Sequence, residues 1–159
     1  MVVWITVADT HILLGADLKA YARAARGWKA ILDEVGVWHG SRASIFKIPH
    51  HGSMGSHEPR VWREMLEPDP EAILTPFVQG STVLPTEDGV AAVKRYTSNA
   101  YISSPPRPSL DVAGPVRQVL DQATADYQPI DIEPGRVRMR KPLTAAKWTV
   151  EVSPPAAKL

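Results

Sequence analysis

The chain has 159 residues, 44% of them hydrophobic, with a formal net charge of +1. That length can bury one domain-sized core, and the near-neutral balance gives no general attraction to nucleic acid or membrane. Cysteine is absent, which excludes disulfides and leaves only nitrogen and oxygen ligands for any metal.

No apolar run approaches the ~18–20 residues that span a bilayer. The opening Val2-Val3-Trp4-Ile5 carries no basic leader, so a cytoplasmic location is expected. Two β-rich runs, Val2 to Val7 and His11 to Leu14, flank the short polar pair Asp9-Thr10 and predict a hairpin. Gly15-Ala16-Asp17 ends the second strand. From Leu18 the period changes: Leu18, Tyr21, Ala25, Trp28 and Leu32 predict one amphipathic helix, with Gly36 as its stop.

Residues 43–48 form the next strand candidate and run into Pro49-His50-His51-Gly52-Ser53. Pro59 then suits a first helical position, followed by the apolar face Val61, Trp62, Met65 and Leu66 of a short helix. Ala72-Ile73-Leu74 reads as a buried strand. Thr86 with Glu87 and Asp88 marks an acidic helix start before Val90, Val93 and Tyr96. Tyr101-Ile102 is a short strand, residues 115–127 fit a last helix, and residues 136–140 and 147–152 are two further strands.

Fifteen prolines exceed the average usage of about 5%. They gather at Pro105-Pro106-Arg107-Pro108 and at Pro154-Pro155, which read as loop or tail. Strands alternating with helices after a hairpin predict an α/β layer arrangement. The expected organisation is a main unit over 1–104 and a C-terminal extension over 105–159, a helix and two strands packed on the same domain.

Chemistry is concentrated at two strand ends. An imidazole beside a glycine that lets the chain turn sharply is aimed at a fixed point, and Asp17 follows an apolar strand and a glycine in the same way. Taken singly, Asp17 reads as a helix N-cap and the His50-His51 pair as a loop feature. Side by side they offer a carboxylate and an imidazole, ligands for zinc, manganese or iron.

Leu13-Leu14-Gly15-Ala16-Asp17, a helix, and then Phe46-Lys47-Ile48-Pro49-His50-His51-Gly52-Ser53-Met54-Gly55-Ser56 together resemble the later motifs of the metallo-β-lactamase superfamily. The branch with a Lys-x-x-His-His-Gly-Ser turn, as in the hydrolase domains of ComEC-type DNA-uptake proteins, is similar over about residues 1–104. The resemblance implies the C-terminal half of an αββα sandwich, with Asp17 bridging two divalent metals, zinc or manganese. It implies that His50 or His51 ligates one of them, and His50, which directly ends the strand, is favoured. Lys47 and Ser53 would orient the turn from outside the ligand set.

The family's His-x-His-x-Asp-His motif and a further histidine between it and the aspartate strand have no counterpart in this sequence. His11, His39 and His57 do not replace them. Two ligands fall short of the three that zinc sites normally use, so weak or absent metal binding and little hydrolysis by the chain alone are expected. The inner sheet face, with Val3, Ile5, Ile12 and Leu14, would lack its partner layer. A separate polypeptide carrying the N-terminal half, self-association, or a longer gene product would supply it.

The alternative function is a non-catalytic interaction module binding through that face. Arg136, Arg138, Arg140 and Lys141 also make one strand face basic, which keeps a nucleic-acid contact open, although a solvated edge strand explains the same pattern. The five tryptophans, scattered singly, read as core or interface anchors.

Overall fold

The fold, from a computed structural model, describes residues 1–21, 26–34, 40–105, 114–123 and 135–159. The N-terminal hairpin forms as expected: β1 (Val3–Val7) pairs antiparallel with β2 (Thr10–Leu14), setting Val3 against Leu14 and Ile5 against Ile12. The helix that follows is shorter than its apolar spacing predicts. Residues 18–21 are not helical, and α1 spans only Gly27–Asp33. Gly27 is the physical break: its φ is +63°, and a side chain there would run into the Lys19 carbonyl. Trp28 and Leu32 still face inward, as the periodicity required; Ala25 and the proposed stop at Gly36 lie outside the described residues.

β3 (Ala43–Lys47) runs parallel to β2, with Leu14 opposite Lys47. The short helix expected near Pro59 is one π-helical turn, Val61–Met65, and Leu66 already belongs to β4 (Leu66–Leu74). β4 carries Pro68 and Pro70, which cannot donate to a ladder. The pairing skips them: Ala43 opposes Leu66, and the next pair is Ile45 with Glu71. A small hairpin follows, β5 (Phe77–Gln79) with β6 (Thr82–Leu84).

The acidic start at Thr86 caps α2 (Glu87–Lys94), its hydroxyl accepting from the Gly89 N–H at 3.1 Å. β7 (Ala100–Ile102) runs parallel to β4. The turn before it is held by Asp69, whose carboxylate accepts from the Ser98 N–H at 2.7 Å, the Thr97 hydroxyl at 2.9 Å and the Asn99 amide at 3.0 Å.

In the C-terminal region α3 spans Gly114–Ala123, with Val116 and Val119 exposed. β8 (Arg136–Arg140) and β9 (Thr149–Ser153) form a separate antiparallel ribbon. Trp148 ties this ribbon to the main sheet by donating to the Ser44 hydroxyl at 3.1 Å. Pro154-Pro155 is not a tail: it leads into β10 (Ala157–Lys158), which adds to the outside of β7.

The main sheet has the order β1-β2-β3-β4-β7-β10 and is parallel across its four central strands. The chain class is therefore mixed α/β. Parallel crossovers share one hand, and a strand order that only advances puts every connecting helix on the same face. The core lies on that face: Leu13, Phe46, Ala72, Leu74, Ala100 and Ile102 from the strands meet Trp28, Trp62, Met65 and Val93 from the connections.

Phe46 sits edge-on to both Trp28 and Trp62, with centroids 6.2 and 5.2 Å away. The opposite face is covered unevenly. Toward β7 it is closed, with Ile45 and Tyr101 buried and Lys158 lying over the Tyr101 ring. Toward β1 it is open: Val3, Ile5 and Val7 are 40%, 36% and 53% exposed. Among the described residues, no helix is long and apolar enough to cross a membrane.

Candidate metal half-site at adjacent strand ends

In parallel α/β sheets, ligand sites form beyond the carboxyl ends of the strands. Here β2 and β3 end beside each other. The Gly15 N–H donates to the Lys47 carbonyl at 3.0 Å, and the His50 N–H donates to the Ala16 carbonyl at 2.7 Å. These bonds bring Gly15-Ala16-Asp17 against the Pro49-His50-His51 turn. Gly15 permits the approach, since a Cβ there would lie 2.9 Å from the Pro49 ring and 3.0 Å from the Lys47 carbonyl. Asp17 caps no described helix, because residues 18–21 are not helical.

Backbone strain collects at the same place. Ala16, His50 and His51 have φ of 44°, 46° and 55°, followed by Gly52 at 75°. Left-handed non-glycine residues cost about 1–3 kcal/mol each and persist where the surroundings over-determine them. Gly52 has a packing reason for its identity: a side chain there would strike Leu74. Gly89 of α2 sits against the Gly52 carbonyl, so the turn is clamped from the helix side as well.

A cleft of about 320 Å³ lies at these strand ends. Met1, Val3 and Leu14 form its apolar wall, continuous with the open sheet face, and Asp17, Lys47 and His51 supply its polar wall. His51, not His50, therefore shares the cleft with Asp17. The chain turns at Pro49 instead of continuing as a strand, so the residue nearest the strand end is not the one that lines the cleft.

His50 has its Nδ1 buried without a hydrogen-bond partner. The His51 Nδ1 lies 3.0 Å from the Thr75 carbonyl oxygen and 3.2 Å from the Thr75 hydroxyl. Its ring stacks on Phe77 with centroids 5.1 Å apart.

Lys47 is half-buried, and its Nζ donates to the Thr75 hydroxyl at 3.2 Å and the Ile48 carbonyl at 3.3 Å. Burial pushes its ammonium below the usual lysine range, while the nearby Asp17 carboxylate pulls it back up. Ser53 closes the turn through its backbone: its N–H donates to the His50 carbonyl and its carbonyl accepts from the Ser56 hydroxyl. It does not line the cleft.

Thr75 was not singled out from the sequence, although it stands at a strand end just as Asp17 and His50 do. Ser56, named from the sequence only as the last residue of the turn motif, is buried, and its hydroxyl donates to the Pro49 carbonyl at 3.1 Å.

The other histidines lie elsewhere. His11 pairs with the Thr6 hydroxyl at 3.1 Å, His57 packs beside Ser56 and Glu58 under the turn, and His39 is outside the described residues. Among the described residues, no three His, Asp or Glu side chains gather as a metal-binding group. A larger depression of about 450 Å³ lies near the start of β4, by Glu67, Glu71 and Trp148. It sits at the end of the parallel strands where such sheets do not place their sites. On the basic strand, Arg138 and Arg140 approach Glu151 at 4.0 and 3.5 Å. Comparison with protein-family models, curated proteins and solved structures returns no match.

Proposed function

We propose that this chain is the C-terminal half of a metal-dependent hydrolase of the metallo-β-lactamase type, completed by a layer that carries the missing histidines. One observation carries the reading: a carboxylate and an imidazole from adjacent parallel strand ends line one cleft, and that cleft opens onto an uncovered apolar sheet face. The donor set suits zinc or manganese. Asp17 would bridge the ions and His51 would bind one of them. When bound, the metals would supply Lewis acidity for hydrolysis of an ester or a phosphodiester.

The chain's own residues prepare the site. Lys47 balances the Asp17 charge in the cleft, and the strained Pro49–Gly52 turn fixes where His51 stands. Two ligands hold a divalent ion weakly, so the isolated chain should turn over an aryl phosphodiester at a negligible rate. Hydrolysis should appear only with the completing polypeptide and vanish with Asp17→Ala. Activity in the complex that survives Asp17→Ala would refute the assignment.

The open face by itself favours a second reading, a non-catalytic module that binds a partner through Val3, Ile5 and Val7. Binding would then survive Asp17→Ala and fail with Ile5→Glu. The nucleic-acid reading has less behind it, because Glu151 stands opposite the arginines. It would require affinity that falls steeply with salt and with loss of Arg138.

A further inference from the structure

We infer that the Thr75 backbone carbonyl positions His51 by holding its imidazole in the Nδ1–H tautomer, which makes Nε2 the ring atom that binds in the cleft. The inference rests on the hydrolase reading for what Nε2 binds, but not for the tautomer itself. A carbonyl oxygen can only accept, so the 3.0 Å contact is a hydrogen bond only when the His51 Nδ1 carries the proton. With the proton on Nε2, two lone pairs would face each other at that distance.

The Thr75 hydroxyl is the competing partner: it accepts from Lys47 at 3.2 Å and keeps its own O–H to donate to the same ring nitrogen, also at 3.2 Å. The carbonyl is the nearer of the two, and only the Nδ1–H form avoids setting two lone pairs against each other there. Stacking on Phe77, 28° from parallel, further limits ring rotation. A backbone carbonyl on one imidazole nitrogen is how proteins set which nitrogen is left as a ligand. The arrangement also distinguishes the two histidines of the pair: His50 has no acceptor on its Nδ1.

The test is a two-bond ¹H–¹⁵N correlation spectrum of the full chain without metal, at about pH 8, where an ordinary imidazole is neutral. The Nδ1–H form of His51 should exceed the Nε2–H form by about tenfold. A dominant Nε2–H form, or a near-equal mixture, would overturn the inference. Thr75→Val removes the hydroxyl and keeps the carbonyl, so the Nδ1–H form should persist; a switch would show that the hydroxyl sets the tautomer and would also overturn it. If that variant fails to fold, the wild-type spectrum decides alone.

Added Cd²⁺ should move the Nε2 resonance, and a response at Nδ1 would count against the inference. An Nδ1–H tautomer with no response to metal would uphold the role of Thr75, since a two-ligand half-site holds metal weakly or not at all; the hydrolase reading fails separately, if activity in the completed complex survives Asp17→Ala.

Discussion

Replacing Leu13 by alanine and Val7 by threonine probes the two faces of the same hairpin. Leu13 has no exposed surface and contacts the helical core, so Leu13→Ala should cost about 3 kcal/mol, transfer and cavity terms together. Val7 is 53% exposed on the open face. Burying a whole valine stabilises by roughly 1.5–2 kcal/mol, and threonine keeps the branched shape, so Val7→Thr should cost under about 1 kcal/mol.

Urea unfolding reads the difference. With a slope near ~2 kcal/mol/M, Leu13→Ala should lower the midpoint by ~1.5 M and Val7→Thr by less than ~0.5 M. The runs should span a wide range of protein concentration, because self-association through the open face would make stability concentration-dependent. Equal losses for the two variants at the lowest concentration would mean that both faces are covered within one chain. No layer would then be missing from the sheet.

Gly52→Ala forces a side chain into a left-handed position and against Leu74, and should cost at least about 1–2 kcal/mol by thermal or urea unfolding; a neutral effect would show that the turn is not clamped. Thr86→Ala removes the hydroxyl that caps α2 and should cost about 1 kcal/mol, visible as a lower Tm, while Thr86→Ser should be close to wild type.

Burial holds the His57 imidazole below its usual range of about 6.5. The unfolded chain therefore binds that proton first, and stability should fall as pH drops below about 6.5 and level off beneath the folded pKa. His57→Gln should flatten this part of a pH–stability curve.

Asp69 is shifted down chiefly by the Ser98 N–H. Its stabilisation is present above its ordinary value of 3.8 and is lost as pH falls through the lower folded value. Asp69→Asn should remove that acid-side loss.

The parts of the fold legible in the sequence were those decided locally. Two β-rich runs flanking the polar pair Asp9-Thr10 sufficed for the hairpin, and Thr86 with its acidic neighbours marked the start of α2. The helix after Asp17 was overextended because Leu18 and Tyr21 keep helical spacing by coincidence, while the left-handed turn at Gly27 breaks the run. β4 was recognised only from Ala72 onward, since Pro68 and Pro70 argue against a strand unless the register slips past them. β10 is two residues long and exists only because β7 offers it an edge.

At the site, the pairing of Asp17 with the histidine turn was readable as two strand ends. Which histidine lines the cleft was not, because it depends on consecutive left-handed residues that no local pattern announces. The Thr75 carbonyl carries no side-chain signature at all.

Zinc titration by calorimetry, on the wild type beside Asp17→Ala, His50→Ala and His51→Ala, tests the central claim most directly. Weak binding by the wild type should disappear in Asp17→Ala and His51→Ala and persist in His50→Ala. Binding that ignores Asp17, or that is lost with His50 and kept without His51, would contradict that claim.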